Sequence, residues 1–133
     1  MLFRSTVGGI TVARAIADNV RRLLAKSRRD GVSLGGWGHR SRARQIELRR
    51  AHCGRTRYAI YEMPSSQCSP PTARPGHSMH ETGRAIDFYK KGRNGAAISI
   101  AGTREFRWLK NNARRFGFYN LPSEPWHWST NGN

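Results

Sequence analysis

From Thr11 to Arg29 the apolar residues Val12, Ala13, Ile16, Ala17, Val20, Leu23 and Leu24 recur at three- and four-residue intervals. That spacing predicts a surface helix with one buried stripe, stopped by Asp30-Gly31. Val32-Ser33-Leu34 reads as a short strand running into Gly35-Gly36-Trp37-Gly38, a loop in which glycines permit close backbone approach. Ser41 to His52 is a second helix with Ser41 as its N-cap and Ala43, Ile46, Leu48 and Ala51 turned partly inward. Between Cys53 and Ser78 periodicity gives way to Pro64-Ser65-Ser66, Pro70-Pro71 and Pro75-Gly76, a long irregular excursion. Arg84 to Tyr89 then alternates as a strand, with Ala85, Asp87 and Tyr89 on one face and Ile86 and Phe88 on the other. Lys90 to Gly95 is a polar turn, and Ala97 to Ala101 is a further strand. Thr103 caps a third helix whose inner face is Phe106, Leu109, Ala113 and Phe116, ended by Gly117. Trp126-His127-Trp128 is a last strand, entered through Pro125. Helices before and after an irregular sheet predict an α+β fold: a small, mostly antiparallel sheet flanked by about three helices.

Composition narrows this frame. A length of 133 residues suits one domain over 1–133, with a core spanning about 7–129. The chain is 37% apolar, and its four Trp, four Tyr and five Phe supply enough burial to offset chain entropy. No stretch approaches the roughly 18 apolar residues of a membrane span. The start, Met1-Leu2-Phe3-Arg4-Ser5, has neither the apolar run nor the cleavage site of a signal peptide, so a mature or excised domain is expected, or one exported by another route.

The 24 Lys and Arg residues against 8 Asp and Glu give a net charge of +16, a field that draws the protein to polyanions. Nucleic acid is the default partner for such a chain, and Arg21, Arg22, Lys26, Arg28 and Arg29 can line a phosphate-binding helix face. The arginines are nevertheless spread along the sequence, with no zinc-finger, helix-turn-helix or RNA-binding signature. Anionic cell-wall polymers fit the charge equally well, and no specific nucleic-acid partner is expected. Cys53 and Cys68 form either a disulfide closing a 15-residue loop, which stabilises by about 3 kcal/mol in the chain-entropy model, or two unpaired thiols. Their spacing matches no zinc motif.

The candidate chemistry lies in two separated segments, Ser78 to Asp87 and Glu124 to Trp128. Two histidines and an aspartate, His80, Asp87 and His127, can hold one Zn²⁺ with a position left open for water, and Glu124 can take that water's proton. Strand alternation turns Asp87 toward a cleft while Ile86 and Phe88 enter the core, and His127 faces opposite to Trp126 and Trp128. Glu124 precedes a proline and is therefore biased to extended geometry. Trp126 and Trp128 read as packing residues. His77 reads as a solvent-facing loop residue, His39 as a possible substrate contact, and His52 as a helix-end residue without a catalytic role.

The complete S-x-H-x-x-G-x-A-x-D pattern from Ser78 to Asp87 and the E-x-W-H pattern from Glu124 to His127 resemble the VanY-type D-alanyl-D-alanine carboxypeptidases. These belong to a group of zinc peptidases that also contains lysostaphin-like enzymes and the hedgehog domain. Gly38-His39-Arg40-Ser41 with Gln45 is similar to the family's G-Y-R-S segment, with His39 in place of the usual aromatic. The Cys53 to Pro75 region resembles actinobacterial and phage-encoded members, and the resemblance runs from about Val7 to Ser129. It implies zinc on His80, Asp87 and His127, and Glu124 as general base and acid. It also implies that Arg40 stabilises the oxyanion and that Ser78, Gln45 and Ser41 lie at the substrate. The implied activity is hydrolysis of the terminal D-Ala-D-Ala bond of peptidoglycan stem peptides by an extracytoplasmic, wall-facing monomer. The alternatives are a peptidoglycan endopeptidase and a non-catalytic wall-binding or assembly domain.

Overall fold

The computed structural model describes residues 3–133. Among these the chain forms seven strands and four helices in an α+β arrangement. The two first strands, β1 (Arg4–Val7) and β2 (Ile10–Ala13), pair antiparallel as a hairpin of their own. Helix α1 (Arg14–Arg29) follows directly, then β3 (Leu34–Trp37), α2 (Arg42–His52), the short α3 (Arg57–Tyr61) and β4 (Ala85–Lys91). The chain continues through β5 (Ala97–Ile98), α4 (Arg104–Asn112), a 3₁₀ turn over 113–116, β6 (Tyr119–Leu121) and β7 (Glu124–Ser129). Strands β3, β4, β7 and β6 lie side by side in that order and β5 pairs with the far end of β4, all antiparallel.

Alternation along β4 places its core face as expected, with Ile86 and Phe88 fully buried and Asp87 on the opposite side. Those two residues join Ile16, Val20, Leu23 and Leu24 of α1, Trp108 and Leu109 of α4, and Trp128 of β7 in one apolar cluster. One sheet face is thus covered by α1 and α4, which leaves the other free to carry polar chemistry. The helices are tied to each other by Trp108 Nε1, which donates to Asp30 Oδ2 at 2.8 Å, and by Asn19 Nδ2, which donates to the Phe116 carbonyl at 3.0 Å.

Several expectations are corrected. Val12 and Ala13 belong to β2 and not to the first helix: Ile10 and Val12 are buried at a two-residue interval, and their spacing to Ile16 and Ala17 mimicked a helical stripe. A fourth helix, α3, interrupts the stretch read as irregular, capped by the Thr56 hydroxyl, which accepts from Ala59 N. On α2, Ala43 and Ala51 are exposed and the buried positions are Gln45 and Arg49. The inner face of α4 includes Trp108 and Glu105, while Phe106 and Phe116 are only partly buried.

Arg49 is the centre of the 53–77 excursion. Its side chain is 0% exposed and its guanidinium donates to four carbonyls: Ile60 at 2.9 Å, Thr72 at 2.7 Å, Ala59 at 2.7 Å and Met63 at 2.6 Å. The planar fork suits several acceptors at once, and each bond satisfies a carbonyl that no strand or long helix serves. The Cys53–Cys68 disulfide closes the first part of the same segment. Together they press the excursion against α2, where it becomes a wall of the site.

Candidate active site

Asp87 and His127 are direct cross-strand partners on β4 and β7, so their side chains share the open sheet face. His80 reaches them from the turn preceding β4. That turn closes through Gly83, whose φ of +71° and close approach to the Ala13 backbone exclude any Cβ. His80 Nε2 lies 3.0 Å from Asp87 Oδ1, and His127 Nδ1 lies 3.0 Å from the same oxygen. The three ligand-type atoms fall within 4.8 Å of one another.

The far side of each ring decides what the near side offers. His80 Nδ1 stands 2.7 Å from the Gly38 carbonyl and His127 Nε2 stands 2.7 Å from the Asn133 carbonyl. A carbonyl only accepts, so each outer nitrogen carries its proton, and a neutral ring then turns a bare lone pair inward. Two lone pairs and a carboxylate oxygen converge with no donor among them. Such a set fits a divalent cation with N and O ligands, and zinc above others. Burial alone would lower the His127 pKa, yet the hydrogen bonds to Asp87 and the Asn133 carbonyl outweigh it and raise it. Burial would likewise raise Asp87, but hydrogen bonds from His127 and His80 hold its carboxyl well below the usual carboxylate range.

Around this cluster runs a cleft of about 400 Å³, lined on one side by Arg40, Gln45, Ser78 and the 70–73 segment and on the other by Leu121, Glu124 and Trp126. Half-buried Glu124 has its pKa raised by desolvation, opposed by the nearby His127. Arg40 Nη2 is 3.7 Å from Asp87 Oδ2, and its Nη1 donates to Gln45 Oε1 at 3.0 Å. Desolvation lowers the Arg40 pKa and the Asp87 charge counters it. Gln45, 1% exposed, also donates from Nε2 to the Ala73 carbonyl at 2.8 Å. Its amide therefore joins Arg40 to the loop wall within the cleft lining. Ser78 borders the cleft, its hydroxyl accepting from His80 N at 3.2 Å.

Ser41, expected at the substrate, is turned away: its hydroxyl accepts from Arg44 N at 3.0 Å as the cap of α2, and it is not part of the cleft lining. His39 lies 3.0 Å from the Arg4 guanidinium, and His77 lines the cleft mouth while remaining exposed. Trp128 is core, whereas Trp126 stands on the cleft rim.

Supporting groups escaped the sequence reading. Glu81 accepts from Gly76 N, Ser78 N and Arg42 Nε at 2.9 to 3.2 Å, fixing the turn before His80. Its place inside the Ser78 to Asp87 pattern was a usable signal. Asn131 Oδ1, which accepts from Asn133 N at 3.0 Å, holds the backbone that meets His127, and no sequence pattern marks it. Among the described residues no helix is long and apolar enough to cross a membrane.

A family model described as "VanY: D-alanyl-D-alanine carboxypeptidase" matches residues 9–133. The chain is 28% identical over 127 residues to a D-alanyl-D-alanine carboxypeptidase of Enterococcus faecalis, covering 85% of this chain and 46% of that protein. It therefore spans about half the length of the curated relative it matches. Among solved structures it is similar to VanYB in complex with D-alanine-D-alanine, at a TM-score of 0.69 and 24% identity, covering 97% of this chain and 77% of that one. It is equally similar to a vancomycin-resistance D,D-pentapeptidase VanY from a VanB-type resistance cassette in complex with Zn(II), at a TM-score of 0.69 and 23% identity over 97% and 78% of the two chains. At these identities the structural likeness is one of fold.

Proposed function

Because the chain belongs to the VanY family of D-alanyl-D-alanine carboxypeptidases, we propose that it is a zinc-dependent D,D-carboxypeptidase, one domain that removes the terminal D-Ala from peptidoglycan stem peptides outside the cytoplasm. The observation that carries this reading is the convergence of two inward imidazole lone pairs and a carboxylate oxygen within 4.8 Å, on a cleft that also holds a half-buried glutamate and an arginine. The Zn(II) and D-alanine-D-alanine complexes of the two similar structures support the same assignment of ion and ligand.

His80, Asp87 and His127 would hold the ion. Bound there, Zn²⁺ supplies Lewis-acid polarisation of the scissile carbonyl and acidifies a water molecule. Glu124 accepts the proton of the attacking water and returns it to the amine of the departing residue; its raised pKa brings it nearer the operating pH, where a group that both takes and gives a proton works best. Arg40 stays charged and faces the negative charge that develops on the carbonyl oxygen. Gln45 is a positioning residue, holding the Arg40 guanidinium against the loop wall. Ser78 borders the cleft where the peptide backbone would pass. The net charge of +16 favours residence on an anionic wall.

Incubation of the zinc-loaded protein with a stem pentapeptide should release D-Ala, and a chelator should abolish the release. The variant Glu124→Gln should lose about 10²- to 10⁴-fold in kcat while still binding one zinc. Internal fragments in place of D-Ala, detected by mass spectrometry, would identify an endopeptidase. No fragment of any kind from peptides or sacculi would refute the enzymatic reading.

A further inference from the structure

The sheet face that carries Asp87 continues past the metal ligands. Register places Trp37 of β3 directly opposite Asp87 on one side, as it places His127 of β7 on the other, so the three residues form a row across neighbouring strands. Directly opposed residues of an antiparallel pair point to the same face with Cβ atoms about 4.5–5.5 Å apart. Two positions along β4, Tyr89 shares that face. Its ring centroid lies 4.6 Å from that of Trp37, with the planes tilted by 46°.

This pair is built into the fold. Gly35 is the register partner of Tyr89, and a Cβ there would run into the Tyr89 ring, so only glycine lets the phenol lie down across β3. Trp37 is 60% exposed, and neither aromatic belongs to the apolar core. Both also lie outside the cleft lining. The result is an exposed aromatic ledge one strand away from a ligand of the metal centre.

We propose that Trp37 and Tyr89 form a subsite for the peptide on the acyl side of the cut, receiving a methylene-rich side chain two or three residues before the scissile bond. The proposal rests on the peptidase reading above. An extended peptide advances about 3.3–3.6 Å per residue, so two or three residues reach about 7–11 Å, enough to cross the roughly 4.8 Å from β4 to β3 and meet the ledge. The chemistry of the ledge selects what it holds. Asp87, the one acid of the row, is already engaged by His80, His127 and Arg40. The next residue on Tyr89's side of the strand is Lys91, which is exposed. Methylenes lie against the rings, and the Lys91 charge favours an acidic tip over an ammonium beside it.

The test compares kcat/KM for a stem pentapeptide with that for N-acetyl-D-Ala-D-Ala in the zinc enzyme and in Trp37→Ala and Trp37→Phe. Loss of one aromatic contact should lower the pentapeptide-to-dipeptide ratio roughly three- to tenfold in Trp37→Ala, with most of it restored in Trp37→Phe. A ratio unchanged in Trp37→Ala would overturn the proposal, because the whole loss would then stem from disturbance of Asp87. A change of oligomeric state on sedimentation with the ratio unchanged would make the ledge a contact between copies. A loss seen only with sugar-linked peptides would give it to the glycan strand and equally sink the proposal. A wild type inactive on every peptide would instead refute the peptidase reading. The ledge would then stand if the Trp37 indole N–H resonance shifts with pentapeptide and not with dipeptide, and fall if it does not.

Discussion

Replacing Arg49 with Met keeps an unbranched apolar stem, removes the guanidinium and so removes all its donors. Four carbonyls, of Ala59, Ile60, Met63 and Thr72, then lose their partner in a place where the arginine had no exposed surface. Each unpaired buried group costs about 1–3 kcal/mol, an upper bound of some 12 kcal/mol for the set. Two effects reduce it: the loop can relax to admit water, and the variant no longer holds a desolvated guanidinium, whose burial lowers the Arg49 pKa in the native fold. The net loss expected is about 3–5 kcal/mol, as for other broken buried charge networks. A chain of 133 residues has an unfolding entropy near 280 cal/mol/K, so the melting temperature should fall by roughly 10–18 °C. Circular dichroism melts in chelator, which removes stabilisation by metal binding, measure the shift. Arg49→Lys, with three rotatable donors and its charge retained, should recover part of the loss. Limited proteolysis of Arg49→Met should open first between residues 53 and 77. A fall below about 3 °C for Arg49→Met would refute the view that this one guanidinium organises the loop.

The metal centre predicts a pH signature. Asp87, held below its ordinary pKa, contributes stability that is complete above about pH 4 and is lost as acid protonates the folded state; His127, held above its ordinary pKa, contributes stability complete below about pH 6.5 and lost as alkali deprotonates it. Metal-free protein should therefore melt highest between about pH 4 and 6.5, and the gain on adding zinc should widen above that window, since the ion needs the imidazoles unprotonated; a gain that shrinks from pH 6 to 8 would contradict the ligand set. Arg40→Ala should lose about 10²- to 10³-fold in kcat with zinc still bound at one equivalent by calorimetry; an unchanged kcat would remove Arg40 from the reaction. Cys53→Ser/Cys68→Ser should lower stability by about 3 kcal/mol in urea unfolding, and a loss under 1 kcal/mol would show that Arg49 alone holds the loop.

The centre of the fold could be read from the chain because its signals are local. Period-two alternation over Ala85 to Tyr89 put Ile86 and Phe88 inside and Asp87 outside, and Ser41, Thr103 and Gly117 marked helix ends by ordinary capping chemistry. What stayed hidden depends on tertiary context. The β1–β2 hairpin has polar residues at half its positions, and its buried Ile10 and Val12 merge into the stripe of α1. Tyr119 to Leu121 is too short to alternate visibly. Arg49 defaults to the surface in any reading of a single sequence, because a charged residue is buried only where distant carbonyls await it. The same holds at the site. The His80, Asp87 and His127 group was legible as a motif, while the carbonyls of Gly38 and Asn133 that set the tautomers of the two rings carry no side-chain signature.

The cross-strand placement of Asp87 and His127 has a consequence for how the acceptor cluster is built. Two of its side chains sit in register on paired strands, and the third, His80, is fixed by backbone bonds of its own turn. The pairing that builds the sheet thereby also brings the acceptor atoms of His80, Asp87 and His127 within 4.8 Å of one another.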